Sequence, residues 1–528
     1  MTTNASPVSS RRLDLLVFVA GFTTLGLEMA GARLLDPWFG NSILVWAALI
    51  GLVLAFLSLG YWLGGRLADR QPQPVRLYGI ALAAALLTAL IPVASRPALQ
   101  RAALSTLNLE HFSLGVLLGA GAVIFVLFSL PTLLLGMISP FALRLAVADV
   151  ANSGRVAGRL YGLGTLGSLL GAFVPVLVLI PALGTRLTFV LLGAVLALVA
   201  LIGLLPWRGR SGAALLALPA LVLLGWQAGQ GQVKPEPGLL AEGESLYNYY
   251  QVVQRGPETW LKLNEGVGLH SVYHPQTALS DGIWDYFLIA PLFRQVTTTP
   301  RAEPERLYLV GLAGGTAAQL YSDVYGPIAI DGVELDPEII AAARRYFNLN
   351  AYPNINAVAA DGRSWLLART VQGSTPYSVA AIDAYRPPYI PFQLATVEFF
   401  ELVRANLTPD GVVAVNAARS RDDYTLVNAL VATLAQVFPS VYVIDESGEE
   451  YSLGNSLVVA TVQPTTLADF YANVAALDAE NQPLLREVAR RATATARPAA
   501  PAAGTVLTDD RAPIEQIVHG IMARFLLP

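Results

Sequence analysis

At 528 residues, 54% of them hydrophobic and 14% charged, the chain has a mean hydropathy of +0.52 and a formal net charge of −4. That acidic balance, with a pI near 5.7, excludes the basic footprint of a nucleic-acid binder. The absence of cysteine excludes disulfides, thiolate nucleophiles and thiolate metal ligands, and it leaves the redox compartment open.

The average hides two unlike halves, because charge is sparse before Gln230 and ordinary after it. Residues 1–12 form a short polar tail ending in Arg11-Arg12. The span from Leu13 to Leu35 has no small-residue cleavage site and carries Glu28 and Arg33, so it reads as a retained helix rather than a signal peptide. Further apolar spans near 42–65, 75–95, 113–137, 160–183, 187–206 and 211–227 give about seven membrane helices over 13–227; the last is the shortest and contains Pro219. The lipid bilayer is therefore an expected partner. Packing of the small residues in Gly60–Arg66 and Gly158–Gly171 suits close helix contact, within the chain or in a homo-oligomer or membrane complex.

Orientation follows from arginine. With seven spans, the tail and every second loop hold Arg11, Arg12, Arg66, Arg70, Arg76, Arg144, Arg155, Arg159, Arg208 and Arg210, against Arg33, Arg96, Arg101 and Arg186 in the alternate loops. The N-terminus is then cytoplasmic and the C-terminal half extracytoplasmic, whereas six or eight spans would keep that half in the cytoplasm. Glu28 and Arg33 are costly in hydrocarbon unless they face the bundle interior or each other. A structural polar contact is expected, since the other spans are nearly free of ionisable groups; transport is the alternative.

Residues 228–243, rich in Gly, Pro and Gln, mark a linker, and 244–300 read as a small β-hairpin subdomain with aromatic and β-branched runs. A Rossmann-like α/β domain follows over 301–464, and 465–528 is a helical C-terminal segment with an Ala/Pro-rich interruption at 493–503. Within the α/β domain, Leu307 to Asp336 reads as strand, glycine loop, helix and second strand. Gly311, Gly314 and Gly315 let a ligand approach the backbone, and Glu334, at the end of the second strand, is placed to bond two ribose hydroxyls. Asp361 and Asp383 stand at two further strand ends. In an open parallel sheet those ends line one crevice, so the three acids should converge on a nucleoside, with Asp361 near an adenine amino group.

Several segments resemble a known family, the spermidine synthases or polyamine aminopropyltransferases, in their membrane-fused bacterial form. These are Gly40-Asn41-Ser42 through Gly60–Arg70, Gly158-Arg159-Leu160-Tyr161, Ile390-Pro391-Phe392-Gln393-Leu394 and Leu507-Thr508-Asp509-Asp510-Arg511-Ala512-Pro513-Ile514-Glu515. The resemblance implies a multi-span region fused to a methyltransferase/spermidine synthase-type domain, with S-adenosylmethionine or its decarboxylated form as co-substrate and no metal. It implies that Glu334, Asp361 and Asp383 hold or adjoin the nucleoside. The amine side departs from the family: Gly311 to Gly315 lacks the Asp that binds the donor amine and is one residue shorter. Arg386 stands where the second loop carries its proton-accepting Asp, and Trp284-Asp285 replaces a Tyr-His pair. The family's hairpin Gln falls near Leu269. A cation cannot accept the proton and repels a diamine. Asp383 and Tyr385 are then the candidates for catalysis, with Trp284, Asp285 and Arg386 on the acceptor side. Two functions stay open: a transferase with altered acceptor, and a non-catalytic membrane protein or complex subunit that uses the enzyme-like domain for interaction.

Overall fold

The computed structural model describes residues 10–40, 43–106, 112–147, 149–206, 214–264, 268–296, 304–385, 390–446, 453–478, 480–500 and 504–525. Most of the polar tail, Arg208, Arg210 and Arg386 lie outside the described residues. The chain divides into two compact units, residues 1–234 with 244–249 and residues 235–243 with 250–528.

The first unit is helical: α1 Ser10–Phe39, α2 Ile43–Arg70, α3 Pro74–Thr106, α4 Phe112–Ala146, α5 Ser153–Val174, α6 Ile180–Leu204 and α7 Ala217–Ala228. Among the described residues five stretches are long and apolar enough to cross a membrane, Ser10–Phe39, Ile43–Arg70, Pro74–Leu99, Leu118–Ala146 and Val150–Leu204. The last covers two expected spans. It is interrupted at Gly184, whose φ of 79° and ψ of 163° are not helical, between the expected 160–183 and 187–206. The expected span at 211–227 falls on α7, whose 12 residues rise about 18 Å, short of a bilayer core.

Glycine sets how the helices meet. Gly21 approaches Gly164, Gly167 meets the backbone of Phe18, and Gly171 meets Phe22, so α1 and α5 run parallel. Gly60, Gly64 and Gly136 do the same for α2 and α4, against Leu57, Leu133 and Met137. Gly193 lies against Ala85 and Ala89 and Gly203 against Tyr78, which makes α3 and α6 antiparallel. At one end of the unit Arg159 pairs with Asp14 (3.3 Å) and Arg144 with Asp69 (3.2 Å). At the other, Arg96 donates to the Gln230 carbonyl, and Arg186 to those of Gly231 (3.0 Å) and Gln232 (2.7 Å). Arg33 turns to Asp36 (3.6 Å) and the Ser245 carbonyl, while Glu28 is buried in the bundle.

The second unit opens with an antiparallel sheet, β1 Leu239–Glu244, β2 Tyr249–Arg255, β3 Glu258–Leu263 and β4 Leu269–Tyr273. Strand β1 begins inside the expected linker: Gly238, at φ +75°, turns the chain, and the apolar run Leu239-Leu240-Ala241 is too short to read as a strand by alternation. A short helix, α8 Ile283–Tyr286, leads to a buried 3₁₀ turn, Phe287–Phe293.

The α/β core follows in the order β5 Arg306–Val310, α9 Thr316–Tyr325, β6 Ala329–Glu334, α10 Pro337–Tyr346, β7 Ile355–Ala359, α11 Gly362–Val371, β8 Tyr377–Ile382, α12 Val397–Ala405 and β9 Leu407–Ser420. Then come α13 Thr425–Leu434, β10 Ser440–Asp445, β11 Leu453–Thr461, α14 Leu467–Ala475, α15 Pro483–Thr493, β12 Arg497–Pro498 and α16 Ile514–Phe525. The sheet order is β12-β10-β11-β9-β8-β5-β6-β7. Strands β5 to β9 are parallel; β11, β10 and β12 add antiparallel pairs at one side. Strand β8 is buried at every residue, as a strand covered by helices on both faces must be. The strand order reverses between β5 and β8, which opens a crevice at their carboxyl ends. The expected fold class is the one observed.

Candidate functional site

The loop after β5 is held open by its own backbone. Gly311 has φ +89°, and a Cβ there would overlap the backbone of Asp383 and Ala384; Gly315 has φ +95°. Between them Ala313 also takes a left-handed φ of 47°, a conformation that costs an L-residue roughly 1–2 kcal/mol. Its amide explains why it persists: Ala313 N donates to Glu334 Oε2 at 2.9 Å, and Asp336 N donates to Glu334 Oε1 at 3.2 Å. Gly314 N donates to Ser271 Oγ at 2.8 Å, and Thr316 Oγ1 bonds both the amide and the carbonyl of Val272 (3.0 and 2.8 Å). Strand β4 is thereby fastened to the loop and to the start of α9.

The structure brings the three strand-end acids to the same edge of the sheet. Glu334 ends β6; burial raises its pKa above the ordinary carboxylate value, and the amides of Ala313 and Asp336 oppose that rise. A carboxylate has about four lone-pair sites, and those of Glu334 serve the amides of Ala313, Asp336 and Leu335. Asp361 follows β7 and caps α11 through Ser364 N at 2.9 Å. Asp383 follows β8, accepts from Asn416 Nδ2 at 2.8 Å and from the Trp284 side chain, and is pushed up to about 7 by burial.

The acceptor-side residues scatter. Trp284 reaches Asp383, whereas Asp285, one residue later on α8, points away because successive helical residues diverge by about 100°. Asp285 is buried and accepts from Ser280 N (2.8 Å), Ser280 Oγ (2.6 Å) and Asp281 N (2.9 Å), with Arg491 at 3.9 Å. Burial raises its pKa. The Tyr385 hydroxyl donates to the Asn416 carbonyl at 3.0 Å and accepts from Ala418 N at 2.9 Å, which ties the loop after β8 to β9. Leu269 is exposed, and beside it on β4 His270 is depressed to about 4 by burial.

Sequence reasoning missed Ser271, Thr316 and Asn416. Asn416 had a signal, a lone amide within the apolar run Val412-Val413-Ala414-Val415-Asn416-Ala417. Ser271 and Thr316 had none, since each acts across more than 40 residues of chain. Among the described residues no group of His, Asp and Glu is arranged to hold a metal.

A doubly wound sheet with a glycine loop and acids at successive strand ends defines a fold of the methyltransferase and spermidine synthase type. No protein-family profile matches the chain. It is 32% identical over 305 residues to a probable polyamine aminopropyl transferase of Bifidobacterium longum, covering 54% of this chain and 64% of that protein. It is 29% identical over 154 residues to the human eEF1A lysine and N-terminal methyltransferase, covering 28% of this chain and 22% of that one. A solved spermidine synthase in complex with the transition-state analogue AdoDATO aligns at 18% identity with a TM-score of 0.36, covering 47% of this chain and 88% of that chain. The chain thus spans less than two thirds of either relative's length. Its similarity in sequence is to polyamine aminopropyltransferases and, over a shorter stretch, to a methyltransferase.

Proposed function

We propose that this is a membrane-anchored, nucleoside-binding transferase that uses S-adenosylmethionine or its decarboxylated form, in the aminopropyltransferase manner or a related one, with an altered acceptor site. The observation that carries this reading is the placement of Glu334, Asp361 and Asp383 at three strand ends beside the 311–315 loop, an arrangement that packing alone does not require. In such a transfer an unprotonated amine attacks the carbon bonded to the sulfonium; the C–S bonding pair returns to sulfur, which leaves as a neutral thioether nucleoside, and the amine gives up a proton. Asp383 is the fitting acceptor, because burial places its carboxyl near 7, where ionised and protonated forms are both populated. Trp284, bonded to that carboxylate, would orient it.

Calorimetry of the purified chain with S-adenosylmethionine, its decarboxylated form and methylthioadenosine tests the pocket. Glu334→Ala should weaken whichever binds by one to several orders of magnitude, on roughly 1.5–3 kcal/mol for each charge-assisted bond to ribose. Absence of binding to the wild type at about millimolar concentration would overturn the reading. Putrescine with the decarboxylated donor should release little methylthioadenosine.

A second reading, a non-catalytic module in a membrane complex, is favoured by the commitment of Asp285 and the Tyr385 hydroxyl to bonds within the fold. Location discriminates between the two. We infer seven crossings: Gly203 lies beside Tyr78 and Gln230 beside Arg96, and the 18 intervening residues of α3 rise about 27 Å. Gly203, near the end of α6, and Gln230, just after α7, therefore lie at opposite ends of α3, although α7 alone is short. The arginine asymmetry counted along the sequence favours a cytoplasmic N-terminus. Reporter fusions after Gln230 should register an extracytoplasmic domain; cytoplasmic reporter activity would refute seven crossings.

A further inference from the structure

Three segments far apart in the sequence meet at the first turn of α11. Arg363 donates to both carboxylate oxygens of Asp509, at 2.7 and 2.6 Å, and to the Gln393 carbonyl at 3.2 Å. Asp509 Oδ1 also accepts from Thr396 Oγ1 at 2.7 Å, the side chain that caps α12, and Asp509 N donates to Glu398 Oε2 at 3.0 Å. Val397 N donates to the Leu507 carbonyl at 2.9 Å. Asp361, two residues before Arg363, caps the same turn, and Tyr308 Oη fixes it from below through the Gly362 carbonyl at 2.7 Å. One carboxylate in the C-terminal segment thus ties together the turn that carries Asp361 and the segment 390–396 on the far side of the loop that begins at Asp383.

We propose that Asp509 is a positioning residue for the nucleoside crevice: through its fork to Arg363 it holds the Asp361 turn and the 390–396 segment in register. This rests on the nucleoside reading above. A planar guanidinium accepts a carboxylate in one geometry, so the fork fixes direction as well as distance. The Asp509 side chain is 42% exposed, so solvent screening limits what the pair adds to overall stability. Its effect should lie in geometry. It also gives a role to two of the sequence motifs, Ile390–Leu394 and Leu507–Glu515, that the strand-end acids leave unexplained.

The test uses the full-length protein in detergent micelles, with Asp509→Asn, Arg363→Gln, the double variant, and Asp510→Asn as control, since exposed Asp510 takes part in none of these bonds. Two readouts are taken: affinity for methylthioadenosine by calorimetry, and amide hydrogen exchange of segments 361–366 and 390–396. Each single variant should bind about 5-fold more weakly, with the double variant no weaker, by conversion of roughly 1 kcal/mol. Both segments should exchange faster, and Asp510→Asn should match wild type. Should Asp509→Asn fail to fold, Asp509→Glu replaces it and should show the same signs at smaller size. Wild-type affinity and exchange in the Asp509 variant would overturn the proposal, as would equal weakening by Asp510→Asn. If wild type binds no nucleoside, the function reading fails separately and exchange alone decides the clamp.

Discussion

The two units use glycine for opposite purposes. In the helical unit Gly167 and Gly171 are ordinary helical residues whose missing side chain lets the backbone of α1 come close, at Phe18 and Phe22. In the crevice Gly311 is needed twice over, for its positive φ and for the Asp383 backbone lying against it. Membrane helices gain association from dispersion at close range, because lipid offers no hydrophobic drive between them, so the helix surface must be small. A ligand loop instead needs a backbone conformation that other residues resist. The sequence pattern alone does not separate the two uses.

The largest effect that would break this comparison belongs to the helical unit. Gly167→Leu would drive a side chain into the α1 backbone, which cannot yield as a flexible side chain does; a loss of about 3 kcal/mol or more is expected, read as a fall in melting temperature and yield in detergent. Gly158→Leu on the same helix should be close to neutral, since an added Cβ there meets nothing within 4 Å. If the two variants behave alike, close packing of α1 on α5 is not what holds the bundle.

A smaller effect is expected in the crevice. Gly311→Ala should cost roughly 1–3 kcal/mol of stability from the positive φ, and it should abolish nucleoside binding, because the loop and the Asp383 backbone must separate. Unchanged affinity would show that the loop has room the geometry does not give it.

The placement of the three acids at strand ends was legible because a βα pattern repeats: a strand, then an acid, then a helix start. Asp361 obeys that rule in full; Glu334 is the last residue of β6, with Asp336 capping α10, whereas after Asp383 the next α-helix starts only at Val397. What the rule cannot supply is direction. Trp284 and Asp285 are neighbours in sequence, yet one bonds Asp383 and the other folds the 280–281 turn. Tyr385 looked like a group free to act, and its hydroxyl is spent on β9, a strand 30 residues on. In the helical unit hydropathy located the long apolar helices and the boundary at which Gly184 breaks the helix, while the brevity of α7 was not legible in its apolar run.

The smallest expected effect separates a working base from a structural acid. The folded Asp383 carboxyl, at about 7, lies above its ordinary 3.8, so the native state holds a proton that the unfolded chain has lost across that interval. The stability this group lends is therefore complete below about pH 4 and is lost as pH rises through about 7. Asp383→Asn, which keeps a hydrogen-bonding partner for Asn416 but cannot ionise, should lose less stability than wild type between about pH 5 and pH 7, by on the order of 1 kcal/mol for each pH unit, read as melting temperature against pH. Any transferase activity should move the other way, rising as Asp383 ionises and absent in the variant. Parallel melting curves for the two proteins would mean that Asp383 already ionises at its ordinary pH, and the acid would then be a binding contact rather than a base.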